Sequence, residues 1–146
     1  MKSCVIFRTK DNYKIVTESE TDTGLYIVDR PVFILSGVVS DEVLKEKLFL
    51  SLNSSSTGVK FPDNREDMKI WQKMQLSLME EKSFDTLYKH SKSCLVRIKD
   101  GDLIVYPYVY ENPKMGLIVK KEKIKNFTLS DDDKNQAINY IKENLT

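Results

Sequence analysis

The apolar positions of this chain change period along its length: short β-rich runs, then spacings of three and four, then β-rich runs again, then helical spacing to the end. Residues 3–9 (SCVIFRT) and 12–18 (NYKIVTE) predict two strands, with Asp11-Asn12 as a weak turn signal between them. Residues 18–24 (ESETDTG) read as a polar, acidic loop. Two further apolar runs, 25–28 (LYIV) and 32–35 (VFIL), are separated by Asp29-Arg30-Pro31, which completes a front meander of antiparallel strands.

Ser40 is placed to cap a helix, with Asp41 and Glu42 in the first turn where the helix dipole favours them. Leu44, Leu48 and Leu52 recur every four residues, and the helix should end near Asn53 before the loop NSSSTG at 53–58. A second helix is predicted over 65–82, with Ile70, Trp71, Met74 and Leu78 on one face. Ser83 then begins a short helical turn through Leu87 and Tyr88. The last helix starts at Ser130 ahead of Asp131, Asp132 and Asp133, in a capping-box-like arrangement, and carries Ala137, Ile138, Ile141 and Leu145 as its stripe, with Tyr140 alongside.

The most specific signal is the hairpin CLVRIKDGDLIVYPYVY at 94–110. Asp-Gly between β-rich runs suits a two-residue type I′ turn, which needs positive φ at both central positions. That turn sets the register: Ile98 opposite Leu103, Val96 opposite Val105 and Cys94 opposite Pro107. One face is aliphatic. The other carries Leu95, Arg97, Ile104, Tyr106, Tyr108 and Tyr110, and a slip of one residue would exchange the two. Pro107 lacks an N–H on the side away from its hairpin partner, so the neighbouring ladder should break, bulge or end there. Residues 111–116 form a loop and 116–121 (GLIVKK) another strand. Strands, helices, strands and a helix in that order predict one α+β domain spanning 1–146, with a central, mainly antiparallel sheet packed by about three helices.

At 146 residues, 40 % apolar and 31 % charged, the chain can bury a core without disulfides or metals. Its formal net charge of +1 supplies no overall field for nucleic acid or membrane. Cys4 and Cys94 lie in apolar strand-like runs and read as buried free thiols. The N-terminus has no signal-like apolar run and nothing approaches a membrane span, so a cytoplasmic protein is expected.

The residues offer little chemistry. His90, Cys4 and Cys94 are scattered, without the close pairs that build a zinc site or the flanks of a Cys–His nucleophile. The five glycines make no phosphate-binding loop. The acidic runs read as solvated faces or helix caps rather than a catalytic pair, so no catalytic residue, cofactor or metal is expected. Lys114, Lys120, Lys121, Lys123 and Lys125, near Tyr106, Tyr108 and Tyr110, are the one nucleic-acid candidate, because bases stack on aromatics beside cations. Packing of the same tyrosines under a helix is the favoured reading, ahead of a protein interface and then of nucleic acid.

The whole-chain order is more distinctive. Arg30-Pro31-Val32-Phe33-Ile34 leads to Ser40 and a helix ending LFLSLNSSS at 48–56. A helix with Trp71 follows, then KSFDTLYKHSKSCLVRI at 82–98, the Asp-Gly hairpin reaching Tyr106-Pro107, Gly116 and a C-terminal helix. Over roughly residues 25–145 this pattern resembles the immunity proteins of bacterial contact-dependent growth inhibition systems. The resemblance implies a small, cofactor-free, non-enzymatic protein of the cytoplasm. Its partner would be the cognate toxin's C-terminal domain, often a nuclease, whose active site it occludes. No family contact residue maps onto a motif here, so the interface is argued from physics. A nuclease presents a basic cleft, which acidic groups complement; the candidates are Glu18, Glu20 and Asp22. Tyrosines are frequent interface anchors, which adds Tyr106, Tyr108 and Tyr110. The alternative is a small nucleic-acid-binding module using the Tyr/Lys surface.

Overall fold

The computed structural model describes all 146 residues. Its elements are β1 (Lys2–Arg8), β2 (Asn12–Glu20), β3 (Tyr26–Ser36), α1 (Asp41–Ser54), α2 (Arg65–Met79), α3 (Phe84–Lys89), β4 (Lys92–Lys99), β5 (Asp102–Tyr110), β6 (Leu117–Val119), β7 (Lys125–Phe127) and α4 (Asp131–Asn144). The strands form one antiparallel sheet in the order β3-β2-β1-β4-β5-β6, with β7 also pairing β5. The fold is α+β, as the element order predicted.

The Asp100-Gly101 turn has φ of 52° and 81° at its two centres, and β4 pairs β5 in the expected register, Cys94↔Pro107, Val96↔Val105 and Ile98↔Leu103. The ladder beyond β5 breaks where the proline requires it. β7 pairs residues 103–105 and β6 pairs residues 108–110, leaving Tyr106 and Pro107 between them. A 3-10 turn at Lys121–Lys123 spans that gap, and the Lys120 N–H donates to the Pro107 carbonyl at 2.8 Å.

Both faces of the sheet are covered. On one, Cys4, Ile6, Ile15, Cys94, Val96, Leu103 and Val105 pack against Leu44, Leu48 and Leu52 of α1 and Ala137, Ile138 and Ile141 of α4. Ser40 and Ser130 cap these helices as expected, accepting from the Val43 and Asp133 N–H groups. On the other face, Val5, Phe7, Val16 and Leu95 meet only Met79 from the end of α2, Leu87 from α3 and a rim of half-buried residues.

Four elements depart from the sequence reading. The runs at 25–28 and 32–35 are one edge strand, β3, in which the register shifts from Val16↔Val32 to Thr17↔Asp29 and Arg30-Pro31 bulge out. An edge strand tolerates a proline because one side of its ladder is free. The acidic loop begins later than expected: β2 continues to Glu20, held by the pairs Glu18↔Val28 and Glu20↔Tyr26, while Ser19 turns inward and donates to Asp29 at 2.6 Å. The predicted strand at 116–121 is only three residues long.

The helix at 65–82 stops at Met79, with Glu80 left-handed at φ 54°, and its buried face is rotated from the predicted one: Trp71, Met74 and Leu78 are only half-buried. Ile70 is 66 % exposed, whereas Gln75 and Met79 are buried. Polar demand sets this rotation. The Val28 N–H on the sheet edge needs an acceptor, and Gln75 supplies it at 2.9 Å. Lys14, 5 % exposed on β2, donates to the Met79 carbonyl at 2.7 Å and pairs with Glu81, so a strand lysine provides the positive charge at the C-terminus of α2. No helix is long and apolar enough to cross a membrane.

Removing Lys14 strands Glu81 and the last carbonyls of α2 together. Lys14→Met is expected to cost about 3 kcal/mol, the lower end for breaking a buried pair, read as a lower urea midpoint with an unchanged slope. Glu81→Gln should cost less, because its side chain is more exposed than that of Lys14, at 17 % against 6 %.

Candidate functional site

The incompletely covered face gathers the charged and aromatic groups. Strand pairing puts Ser3 of β1 between Glu18 of β2 and Arg97 of β4. The Ser3 hydroxyl donates to Glu18 Oε1 at 2.9 Å and accepts from Arg97 Nε at 3.2 Å. Arg97 then lies over the Tyr26 ring, 4.4 Å from its centroid, and Tyr26 is the cross-strand neighbour of Glu20. Ser55, at the end of α1, locks this row. Its hydroxyl accepts from the Ser3 N–H at 3.1 Å and donates to the Glu18 carbonyl at 2.5 Å.

Beside Glu18 is a cleft of about 250 Å³. Nine of its eleven lining residues are apolar or aromatic, and Glu18 is the one charged group among them. Its walls include Phe7, Phe84, Tyr88 and Tyr108. Tyr88 is the hub of these rings, stacked on Phe7 at 6.1 Å and within 6.2 Å of Phe84 and 5.9 Å of Tyr110. Burial raises the Glu18 carboxyl above its usual range, opposed by the Ser3 hydrogen bond and Arg97. Burial also pushes the Tyr108 phenol up, with the Glu18 charge adding to the effect.

Of the residues singled out by sequence, Glu18, Glu20, Tyr106, Tyr108 and Tyr110 share this face. Glu18 is in its floor, Glu20 is half-buried beside Tyr26, and Tyr106 and Tyr108 continue the row along β5. Tyr110 packs on Tyr88. Asp22 is elsewhere: it is exposed in the loop after β2 and accepts the Phe61 N–H at 3.1 Å. Sequence reasoning missed Ser3, Tyr26 and Tyr88 as members. The hairpin register put Arg97 on the tyrosine face, but only the β1–β4 pairing shows what it meets.

Of the lysine run only Lys120 reaches the tyrosines: with Lys89 and Lys92 it lines a cleft of about 230 Å³ beside Tyr88, Tyr108 and Tyr110. Lys125 lies over Phe127 and Tyr140, 5.4 and 5.1 Å from their centroids, on the α4 side of the sheet. Lys121 and Lys123 are exposed on the 3-10 turn and Lys114 in the loop before β6. A wider cleft of about 600 Å³ lies at the sheet end, lined by Arg8, Lys10, Lys89, His90 and Lys92 among others. Cys4 and Cys94 are free and buried on the α1/α4 face, with the Cys94 thiol pushed up to about 12 by burial. His90 is exposed at the end of α3.

A raised native pKa means the folded state binds the Glu18 proton more tightly than the unfolded chain does. The stability from this group is therefore full below the ordinary value of 4.5 and is lost as pH rises through the native one. Glu18→Gln, a neutral isostere that still accepts from Ser3, should be more stable than the parent at pH 8. Its advantage should shrink as pH falls towards 4. Urea midpoints of both proteins across that range check this, and a pH-independent difference would contradict it.

No protein-family model and no curated protein sequence matches the chain. Among solved structures, it is similar to a protein of unknown function from Neisseria meningitidis, with TM-score 0.72 and 19 % identity over 99 % of this chain and 93 % of that one. It is also similar to a chain of the CdiA-CT/CdiI toxin and immunity complex from Yersinia pseudotuberculosis, with TM-score 0.69 and 15 % identity over 99 % of this chain and 97 % of that one. At these identities the likeness is one of fold, and it runs the length of both chains.

Proposed function

We propose that this protein is an immunity protein, which binds the C-terminal toxin domain of a contact-dependent growth inhibition system and neutralises it in the cytoplasm. The toxin is a nuclease, and neutralisation works by covering its active site rather than by any chemistry of the protein's own. The observation that carries this reading is a half-open sheet face joining Glu18 and Glu20 to Tyr26, Tyr106 and Tyr108, on a fold shared with a chain of a toxin and immunity complex. Large aromatic side chains with polar tips, on a rigid sheet, suit the centre of a protein interface. The carboxylates add complementarity to a phosphate-binding cleft, which raises association rate and selects the partner.

A second reading, a small nucleic-acid-binding module, draws support from the cationic cleft at Arg8, Lys10, Lys89 and Lys92. It would use that cleft together with the adjoining one, where Lys89, Lys92 and Lys120 stand beside Tyr88, Tyr108 and Tyr110, and leave Glu18, Glu20 and Tyr26 idle. Co-expression with the toxin domain encoded beside it separates the two. A one-to-one complex with restored growth is expected; nucleic acid carried through purification with no protein partner would replace the first reading with the second.

Within the complex, Tyr106→Ala should weaken toxin binding by about 30-fold, the roughly 2 kcal/mol of an interface anchor, mainly through faster dissociation. Glu20→Ala should slow association at low salt and converge on the parent at high salt. Asp22→Ala, off the face, should change neither. Surface-immobilised binding kinetics at two ionic strengths read all three.

A further inference from the structure

Glu18 presents an unusual arrangement. It lies in the floor of an apolar cleft, and none of the chain's ion pairs includes it. Its one side-chain hydrogen bond is the neutral Ser3 hydroxyl on Oε1. Arg97 reaches Glu18 only through Ser3, with its Nε on the Ser3 hydroxyl and its guanidinium over the Tyr26 ring. Glu18 is half-buried, and a carboxylate partly withdrawn from water gains by pairing directly with a cation. Here the pairing position is left open towards the cleft.

The shape and walls of the cleft narrow what would complete the pair. Its volume of about 250 Å³ is below the roughly 300 Å³ at which sites for whole small-molecule ligands begin, so it suits one long side chain. Val5, Val16, Val28, Met79 and Leu117 offer apolar contact for an aliphatic stem. Phe7, Tyr88 and Tyr108 add aromatic walls, and aromatic surroundings favour the flat, weakly hydrated guanidinium over a compact ammonium. The Arg97–Tyr26 stack displays the same chemistry on the same face.

We propose that the cleft beside Glu18 is an anchor pocket for an arginine side chain of the protein partner, with the guanidinium paired to Glu18 and the stem enclosed by the aromatic and aliphatic walls. This rests on the neutralisation reading for who supplies the arginine, but not for the pocket itself. A basic residue at the toxin's phosphate-binding centre, drawn into this pocket, would be withdrawn from its own substrate. Binding and inhibition would then be one event.

The test uses the intact protein and no toxin. Propylguanidinium is titrated while amide resonances of Phe7, Tyr88, Tyr108 and Leu117 are followed by NMR, with uncharged propylurea as the matched control. Saturable shifts confined to the cleft are expected with a millimolar dissociation constant. Binding should be at least tenfold weaker for propylurea, and at least tenfold weaker for propylguanidinium on Glu18→Gln. Equal binding of propylurea would make the cleft merely apolar and overturn the proposal, as would the absence of saturable shifts in the parent protein. The propylurea comparison needs no variant, so it stands whether or not Glu18→Gln folds. Propylguanidinium binding without growth rescue would overturn the neutralisation reading and keep the pocket. Growth rescue without propylguanidinium binding would do the reverse.

Discussion

The structure depends on the pairing of β1 with β4. It joins the front meander, β1 to β3, to the rear hairpin and its satellites, β4 to β7, and without it there is no common sheet for the helices to cover. The pairing also creates the site. Ser3, Glu18 and Arg97 belong to three strands and become neighbours only because β1 lies between the other two in a fixed register. Ser55 adds a side-chain clamp from α1 to the same row, so the position of the carboxylate is tied to packing on the opposite face.

Coverage of the two faces is unequal, and that inequality is where function becomes available. α1 and α4 bury one face in a continuous aliphatic layer. α2 and α3 reach the other with Met79 and Leu87 fully buried and Leu76, Phe84 and Tyr88 half-buried, leaving strand tyrosines, a carboxylate and a guanidinium to finish it. A face meant only for stability would be closed with aliphatic residues. A half-buried carboxylate in an apolar cleft with no direct cation partner lowers stability at neutral pH, and natural proteins retain such features mostly where activity needs them.

Much of the fold was legible because its signals are local. The Asp100-Gly101 turn, the serine caps and the leucine spacing of α1 each depend on neighbours within a few residues. Pro107 announced a broken ladder because a missing N–H has the same consequence in any sheet. The errors have a common source in long-range demands. β3 appeared as two runs because its proline is acceptable only at an edge, and edge position is a tertiary fact. α2 buries Gln75 rather than Ile70 because a strand N–H and a strand lysine dictate its rotation. The tyrosine row was visible from the hairpin register, whereas the enclosure of Glu18 was not: Ser3 and Arg97 are separated by 94 residues.

That separation has a consequence for biosynthesis. At roughly 5–20 residues per second, β1 is synthesised about 5–20 s before its β4 partner. During that interval the strand bearing Cys4, Val5, Ile6 and Phe7 is an unprotected edge, apolar on both sides and able to pair with another nascent chain. Sheets closed by such distant contacts also fold slowly. The last-made part of the chain thus governs the fate of the first. Translation speed and chaperone capture before residue 100 act on this open edge separately from how stable the finished molecule is.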